Sequence, residues 1–494
     1  MTAPIDVETE RSLDPENWDD LRHLGHRMVD DMLGYLEQVR ERPAWQPVPD
    51  SVKERLRQPV PREPEGAERA YEDFRELVLP YPLGNIHPRF WAWVIGTGTP
   101  LGALAEMLAA TMNPNVGGGD HGANYVEAQV LDWCKEILGF PAAASGILVS
   151  GGSMANLVGL AVARNVGAGY DVRRQGRRAD GGPMTVYGSR ETHSSVQKAV
   201  ELMGLGSENL RLLPVNAEFE LEVAALERAI ADDRGAGCRP LCVVGNAGTV
   251  NTGAIDDLTR LAEICAREEL WLHVDGAFGA LACLSPEVRP RLAGLERADS
   301  VAFDLHKWMY MPFEVGCVLV RDAAAHRRTF SLTPDYLAHA ERGAAGGALW
   351  FSEYGLQLSR GFRALKVWMS LKEHGLDRYA RLVHQNIQQA RYLAELVTAA
   401  PDLELLAPVP MNIVCFRYAG SGEGRDEPAL DALNKELLMR LHEEGIAVPS
   451  NATIGGRYAI RVAITNHRSR REDFQLLVRE VRRIGSALVA DVGV

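Results

Sequence analysis

Residues 298–320 have the sequence ADSVAFDLHKWMYMPFEVGCVLV, in which two apolar runs flank the polar segment Asp304–Trp308. We predict that both runs are buried strands. Lys307 then lies at the end of the first strand, where an ammonium group is costly to bury. Such a lysine is tolerated if it is deprotonated or held as an imine. Taken alone, Lys307 is also compatible with a side chain that extends from a strand end into solvent.

Strand-like and helix-like segments alternate around this stretch. The predicted strands are Gly146–Val149, Met184–Tyr187, Pro240–Val244, Trp271–Val274, Ser300–Phe303 and Gly316–Val320. The helices predicted between them are Ala155–Asn165, Ser194–Met203, Val223–Asp232 and Leu258–Glu268. Apolar strands separated by helices indicate an α/β fold with a mostly parallel sheet between helices. Ligands of such sheets bind at the carboxyl ends of the strands.

Polar or small residues follow five of these strands. The five segments are Ser150–Asn156, Glu191–Ser195, Asn246–Gly253, Asp275–Ala277 and Asp304–Trp308. The first has glycines at a predicted helix start, where backbone amides can approach a phosphate. Single features have ordinary explanations, for example Ser153 as a helix cap and His193 as a surface histidine.

The five segments together provide what pyridoxal 5′-phosphate (PLP) requires. They contain an anion site, an imidazole that can face a ring, an acid for the ring nitrogen and an amine for the aldehyde. Asp275 is the candidate acid and Lys307 the candidate amine. We therefore predict a PLP site at the carboxyl edge of the sheet.

The chain also resembles a known family, the group II PLP-dependent amino-acid decarboxylases, which are fold-type I PLP enzymes. The resemblance extends from about Asn17 to Ile484 and is most specific at His273–Ala277 and His306–Trp308. Supporting motifs are Ser150–Asn156, Thr192–Ser195, Pro334–Leu337 and Arg360–Lys366. Within the family, the chain is most similar to aromatic-L-amino-acid decarboxylases. The resemblance implies a mostly parallel seven-stranded sheet, an extended N-terminal segment and a small α+β C-terminal domain.

The resemblance also implies roles for individual residues. Lys307 would form the Schiff base with PLP, Asp275 would pair with the ring nitrogen, and His193 would stack on the ring. Tyr336 would lie on a mobile loop and protonate the carbon that has lost CO₂. The other cofactor contacts would come from Gly152, Ser153, Thr249, Asn251, Ala277 and His306.

One position departs from the family next to the Schiff-base lysine. Asp304-Leu305 stands where the family often has Asn-Pro before His-Lys. A further acid close to a phosphate is unexpected, because like charges repel. The role of Asp304 stays open from the sequence.

The resemblance implies a substrate wall, which departs from that of aromatic decarboxylases in being polar at Asn113 and Ser359. Its members would be Trp91, Trp93, Asn113, Ser359 and Arg360. Polar groups in a pocket favour a substrate that can pair with them. We expect decarboxylation of an aromatic L-amino acid, such as tyrosine, tryptophan, phenylalanine or DOPA, to its amine and CO₂.

Three alternatives stay open. The first is oxidative decarboxylation and deamination to an aldehyde. The second is decarboxylation of a polar or acidic amino acid, such as histidine, glutamate or aspartate. The third is a binding protein without turnover, against which the presence of Lys307, Asp275 and His193 argues.

We predict three parts of the chain: a helical arm (1–90), a large PLP-binding domain (91–375) and a small C-terminal domain (376–494). The first predicted helix is followed by a proline-rich extended segment, so it has little to pack on locally. The resemblance implies a homodimer with active sites at the interface and the arm on the partner subunit. The alternative is an arm that folds back on its own domain.

Composition limits the partners and the compartment. The 494 residues carry a net charge of −13, which argues against nucleic acid or an anionic membrane as a partner. Seven cysteines occur without a CxxC pair, so we expect free thiols in a reducing compartment and no structural metal site. The N-terminal residues lack the apolar core of a signal peptide, and no run suffices for a membrane span. We expect a cytoplasmic protein.

Overall fold

The computed structural model describes residues 12–178, 182–332, 340–420 and 426–492. The strands in these residues are β1 Phe90–Trp91, β2 Ser145–Val149, β3 Met184–Ser189, β4 Leu210–Leu213, β5 Arg239–Asn246, β6 Trp271–Asp275, β7 Ser300–Asp304, β8 Gly316–Val320, β9 Leu403–Leu405, β10 Ile413–Tyr418, β11 Val448–Ile454 and β12 Arg457–Ala463. The α-helices are α1 Trp18–Glu37, α2 Asp50–Arg55, α3 Ala67–Asp73, α4 Pro100–Met112, α5 Gly122–Leu138, α6 Gly152–Gly167, α7 Val172–Gln175, α8 Ser194–Leu202, α9 Val223–Gly235, α10 Leu258–Glu268, α11 Leu305–Trp308, α12 Ala323–Phe330, α13 Ala364–His374, α14 Leu376–Ala399, α15 Glu427–Glu443 and α16 Arg471–Val492. Among them, no helix is both long and apolar enough to cross a membrane.

The central sheet has seven strands in the order β2-β8-β7-β6-β5-β3-β4. Only β8 runs antiparallel to its neighbours. Strands β6, β7 and β8 are buried at every position, which explains their continuously apolar sequences. The predicted mostly parallel seven-stranded sheet is thus confirmed. The strand that the sequence did not reveal is β4, which is only partly buried and lacks a continuous apolar run.

Helix α6 packs across β6, β7 and β8, while α9 and α10 pack on β5. The start of α6 lies against the end of β7: a Cβ built on Gly151 would lie 3.7 Å from Oδ1 of Asp304. The topology therefore brings the glycine-rich helix start next to the segment that carries Lys307.

A second sheet, in the order β1-β11-β12-β10-β9, packs with α14, α15 and α16. Trp91 of β1 lies in this second core, stacked on Phe474 with ring centroids 5.0 Å apart. Its Nε1 donates to Oγ of Ser469 (3.0 Å). Residue 91, which we assigned to the large domain, therefore belongs to the small sheet. The pairing of β1 with β11 spans two residues, too few to produce a recognisable strand pattern.

The N-terminal arm has two different environments. The segment after α1 packs on its own chain, where Arg40 pairs with Asp473 (2.8 Å). Helix α1 itself buries Leu24 but leaves other apolar side chains exposed. These exposed residues are Trp18, Leu21, Met28 and Leu33. The chain therefore covers the start of the extended segment, where Val39 and Ala44 are buried, but leaves the apolar face of α1 exposed.

Candidate active site

A cavity of about 830 Å³ opens at the carboxyl ends of the central strands. Residues from all five predicted strand-end segments line it. The lining residues with predicted cofactor roles are Gly152, Ser153, His193, Thr249, Asn251, Asp275, Ala277, His306 and Lys307. The volume is in the range of cofactor and small-ligand pockets.

Lys307 lies on the short helix α11, directly after β7. Its side chain is 22% exposed, and its Nζ lies 2.8 Å from Oδ2 of Asp304. Asp304 is buried, and its other oxygen, Oδ1, has no hydrogen-bond partner in the described part of the chain. Lys307 therefore points along the cavity wall towards Asp304, which serves as its counter-ion.

The N-terminus of α6 forms a cradle for an anion. No side chain caps this helix, so its first backbone amides are available to a ligand. A Cβ on Gly152 would lie 2.9 Å from Oδ2 of Asp304 and 3.6 Å from Cβ of Ala277. Glycine is needed here because a larger residue would fill the cradle.

His306 lies beside this cradle. Its Nδ1 lies 3.0 Å from the carbonyl oxygen and 3.1 Å from the amide nitrogen of Val315, and its ring centroid lies 4.4 Å from that of Phe313. Burial lowers the pKa of His306, which favours the neutral ring. Because the backbone of Val315 engages Nδ1, Nε2 is the ring nitrogen left for a ligand, and a Cβ on Gly151 would lie 3.9 Å from it. In the tautomer with its hydrogen on Nε2, the ring can donate to a phosphate.

Asp275 ends β6 and is buried at the base of the cavity. Its Oδ2 accepts from Nδ2 of Asn156 (2.8 Å), and its Oδ1 accepts from the amide of Ala277 (3.1 Å). Two donors hold the carboxylate in one orientation. Such a carboxylate can keep a pyridine nitrogen protonated by charge pairing.

His193 is the N-cap of α8 and lines the cavity. Its Nδ1 accepts from the amide of Ser195 (3.2 Å) and lies 2.8 Å from Oγ of the same residue. Burial lowers the pKa of His193. The residue therefore offers a flat, neutral ring to the site.

Thr249 and Asn251 lie on the loop after β5 and also line the cavity. Oγ1 of Thr249 accepts from the amide of Ala254 (3.1 Å), and Nδ2 of Asn251 donates to Oε2 of Glu191 (2.9 Å). The loop is thus held by its own side chains at the cavity edge.

The predicted substrate residues are not brought together in one wall. Trp93 lines the cavity and is 54% exposed. Asn113 and Ser359 are exposed and lie outside the described cavity wall. Trp91 is buried in the small domain, as described above. Tyr336 and the motif at 334–337 lie outside the described residues.

Arg360 also has a different position from the predicted one. Its guanidinium is fully buried, pairs with Glu127 and donates to the carbonyls of Val116 and Leu148 (2.6 Å each). These contacts tie the loop between α4 and α5, which contains Val116, to α5 and β2. We therefore correct its assignment from substrate contact to structural support, because a buried, paired guanidinium is absent from the cavity wall.

Arg461 was not identified from the sequence, although it lines the cavity. It is buried and donates to the carbonyls of Trp93 (2.9 Å), Asn251 (3.2 Å) and Val250. Burial lowers the pKa of Arg461 to about 10. An arginine inside the apolar run of β12 was the available signal, because such a residue is rarely buried without a specific role.

Comparison with known proteins agrees with these features. Residues 49–419 match the pyridoxal-dependent decarboxylase conserved domain. An aromatic-L-amino-acid decarboxylase of Bacillus atrophaeus is 32% identical over 469 residues, covering 94% of this chain and 95% of that protein. A phenylacetaldehyde synthase of Petunia hybrida is 30% identical over 472 residues, covering 92% of each. The crystal structure of Oryza sativa TDC with PLP and tryptamine has a TM-score of 0.89 at 27% identity, covering 97% of this chain and 100% of that chain.

The fold and the cavity define a PLP-dependent enzyme of fold type I. The cavity fits this cofactor, because the α6 cradle accepts only glycine beside Asp304 and the base of the cavity holds an oriented carboxylate. The chain belongs to the pyridoxal-dependent decarboxylase family. It is an amino-acid decarboxylase, a carboxy-lyase that uses PLP.

Proposed function

We propose that this enzyme removes CO₂ from an aromatic L-amino acid and releases the corresponding amine. The observation that carries the proposal is the half-exposed Trp93 on the wall of the cavity that also holds Lys307 and Asp275. An indole offers a large apolar face to a substrate ring. Relatives named for tyrosine and tryptophan substrates, such as tyrosine decarboxylase 4 of Petroselinum crispum at 31% identity, agree with this choice.

Each side chain has a task in this proposal. Bound PLP supplies an aldehyde carbon for amines and a ring that accepts the electrons of the broken bond. Lys307 offers its amine to that aldehyde and yields it to the substrate amine. Asp275 holds a proton on the ring nitrogen, and His193 covers the site with a neutral ring. The amides of the α6 cradle and Nε2 of His306 bind the phosphate.

Tyr336 completes the reaction in this proposal by giving a proton to the carbon that has lost CO₂. A positioned acid is needed for this step. The sequence motif that contains Tyr336 supports the assignment.

Oxidation to an aldehyde is the second candidate, because a phenylacetaldehyde synthase is among the relatives. Members with that activity often replace the residues that match Tyr336 or His193. Both residues are present here, which favours the simple decarboxylation.

We further propose a homodimer in which α1 packs on the partner subunit. The exposed apolar face of α1 supports this assembly, because an uncovered stripe of this kind is a typical interface. Replacing Leu21 and Met28 by glutamate should shift the protein towards monomers in light scattering. Glutamate at His23 and His26, which are exposed on the other side of the same helix, adds two acidic groups as well and provides a matched control.

A cytoplasmic location is also proposed. All seven cysteines are free, and six of them are buried. This pattern agrees with a reducing compartment.

The proposed reaction is tested by a screen of L-amino acids for CO₂, amine, aldehyde and peroxide. We expect CO₂ and amine in equal amounts from an aromatic amino acid, without peroxide. Lys307→Ala should abolish CO₂ release with that substrate. Equal amounts of aldehyde and peroxide would establish the oxidative alternative, and release of CO₂ only from glutamate, aspartate or histidine would reject the aromatic substrate.

A further inference from the structure

A chain of buried polar side chains connects the sheet with both Asp275 and His193. It begins at Trp271 on β6, whose indole Nε1 donates to Oγ of Ser300 on β7 (2.8 Å). Oγ of Ser300 lies 2.7 Å from Nδ1 of His273. Ser300 and His273 have no exposed surface, so neither exchanges these partners for water.

The chain continues through Asn156 on α6. Nε2 of His273 lies 2.9 Å from Oδ1 of Asn156. The amide nitrogen of Asn156 donates to Oδ2 of Asp275 (2.8 Å) and to Oγ of Ser195 (2.9 Å). Oγ of Ser195 lies 2.8 Å from Nδ1 of His193. One amide group therefore reaches both the carboxylate and the residue that orients His193.

The direction of each hydrogen bond follows from the two ends of this chain. The indole of Trp271 can only donate, and the ionised carboxylate of Asp275 can only accept. Ser300 therefore accepts from Trp271 and donates to Nδ1 of His273. Burial lowers the pKa of His273 to about 4, so its ring is neutral and carries its hydrogen on Nε2.

Asn156 has one orientation that satisfies its neighbours. Its oxygen accepts from Nε2 of His273, and its NH₂ group faces Asp275 and Ser195. A flipped amide would place an oxygen against the carboxylate and an NH₂ group against an N–H. In the observed orientation, Ser195 is free to donate to Nδ1 of His193, and His193 keeps its hydrogen on Nε2.

We propose that His273 and Asn156 are positioning residues, which set the orientation of Asp275 and the tautomer of His193 through one hydrogen-bonded chain. His273 acts through Asn156, and Asn156 acts on both sides of the site. This inference deepens the proposed function, because it rests on the roles proposed for Asp275 and His193.

Gly159 supports this assignment independently. It lies in the middle of α6, where glycine weakens a helix relative to alanine. A Cβ at this position would lie 2.7 Å from Cε1 and Nδ1 of His273 and 3.1 Å from Oγ of Ser300. The helix thus carries a destabilising residue at the place where any side chain would displace the His273 ring.

Two substitutions at His273 separate the donated hydrogen bond from packing. His273→Gln keeps an N–H near the position of Nε2, whereas His273→Phe keeps a flat ring without one. We expect His273→Phe to bind PLP about tenfold to a hundredfold more weakly, the effect of a lost hydrogen bond that supports a charged group. The visible circular dichroism of the bound cofactor should change as well. In His273→Gln, the PLP affinity and the visible circular dichroism should both be closer to those of the unmodified protein.

PLP affinity and visible circular dichroism are both measured by titrating the cofactor-free full chain with PLP. Neither measurement depends on turnover. Equal losses in His273→Phe and His273→Gln would show that only packing matters and would overturn the proposal. Unchanged PLP binding and visible dichroism in both variants would overturn it as well.

Asn156→Asp tests the next link, and Asn165→Asp on the same helix is the matched control. Both substitutions add one negative charge to α6, but only the first places a second carboxylate against Asp275. We expect weaker PLP binding in Asn156→Asp alone, and equal behaviour of the two variants would contradict the proposal. If His273→Phe does not fold, the comparison of Asn156→Asp with Asn165→Asp still tests the proposed positioning role of the hydrogen-bonded chain.

Asp275→Asn distinguishes this inference from the proposed function. If Asp275→Asn weakens PLP binding while the His273 and Asn156 variants do not, the positioning role alone is rejected. If Asp275→Asn also binds PLP normally, the role proposed for Asp275 itself is rejected, and the positioning role with it.

Discussion

The carboxylate of Asp304 lies 2.8 Å from the amine of Lys307, at the floor of the α6 cradle. This pair accounts for the acid whose role the sequence left open. The second carboxylate oxygen of Asp304, Oδ1, is buried without a hydrogen-bond partner among the described residues. Attachment of PLP to the lysine amine would weaken this ion pair and would bring a phosphate close to Asp304. We therefore expect the acid to oppose cofactor binding.

Asp304→Asn should increase the affinity for PLP. The amide removes a buried charge that would be left uncompensated, and we expect a gain of about tenfold. Equilibrium dialysis of the cofactor-free protein against PLP measures this change. Asp322→Asn, at the exposed N-cap of α12, is the control and should bind PLP normally. Weaker binding in Asp304→Asn would show instead that the acid holds the cofactor.

Gly152→Ala should decrease the affinity for PLP. The added methyl group would lie 2.9 Å from Oδ2 of Asp304 and occupy the anion cradle. Overpacking of this kind costs about 1–3 kcal/mol, which corresponds to a loss of affinity of about fivefold to about 150-fold. Gly122→Ala, at a helix start with open space around it, is the matched control. Normal PLP binding by Gly152→Ala would place the phosphate elsewhere.

His326 should make the stability of the protein dependent on pH. Its ring lies 2.9 Å from Oγ of Ser145 and 2.8 Å from the carbonyl of Tyr354, and burial lowers its pKa from 6.5 to about 4. The unfolded chain binds the proton more readily than the folded protein. The contribution of the neutral His326 ring to the free energy of unfolding is therefore complete above about pH 6.5 and is lost as the pH falls towards 4. At about pH 5 the loss is roughly 2 kcal/mol.

Urea unfolding at about pH 7 and about pH 5 tests this contribution. His326→Gln should reduce the difference between the two free energies of unfolding by roughly 2 kcal/mol. His23→Gln, at an exposed position on α1, should leave the difference unchanged. An identical pH dependence in all three proteins would contradict the assignment.

Tyr336→Phe should shift the product from amine towards aldehyde. Loss of a positioned acid slows protonation of the carbon by about tenfold or more, which leaves time for reaction with oxygen. Amine, aldehyde and peroxide are measured together in the same assay. Tyr125→Phe, an exposed tyrosine bonded to Asp120, is the control. An unchanged amine yield from Tyr336→Phe would assign the proton to another donor.

The strand-end residues of the cofactor site could be predicted because each follows an apolar strand, and parallel strands end at one edge of a sheet. Lys307, Asp275 and His193 are such residues, and all three line the cavity. The substrate wall could not be predicted in the same way. Trp91 and Arg360 lie in loops and short strands, where local sequence does not determine which core a side chain enters.

By itself, the sequence determined the α/β class and indicated a PLP site, because burial periodicity and strand-end chemistry are local properties of the chain. The decarboxylase family came from the resemblance of its motifs to that family. Only the tertiary structure decided how Lys307 is paired and how Asn156 links Asp275 to His193. The contacts of Asn156 join α6 to β6 and α8, whereas Lys307 and Asp304 are three residues apart and meet where β7 turns into α11. Their distances and hydrogen-bond directions arise from packing, which no single segment of the sequence specifies.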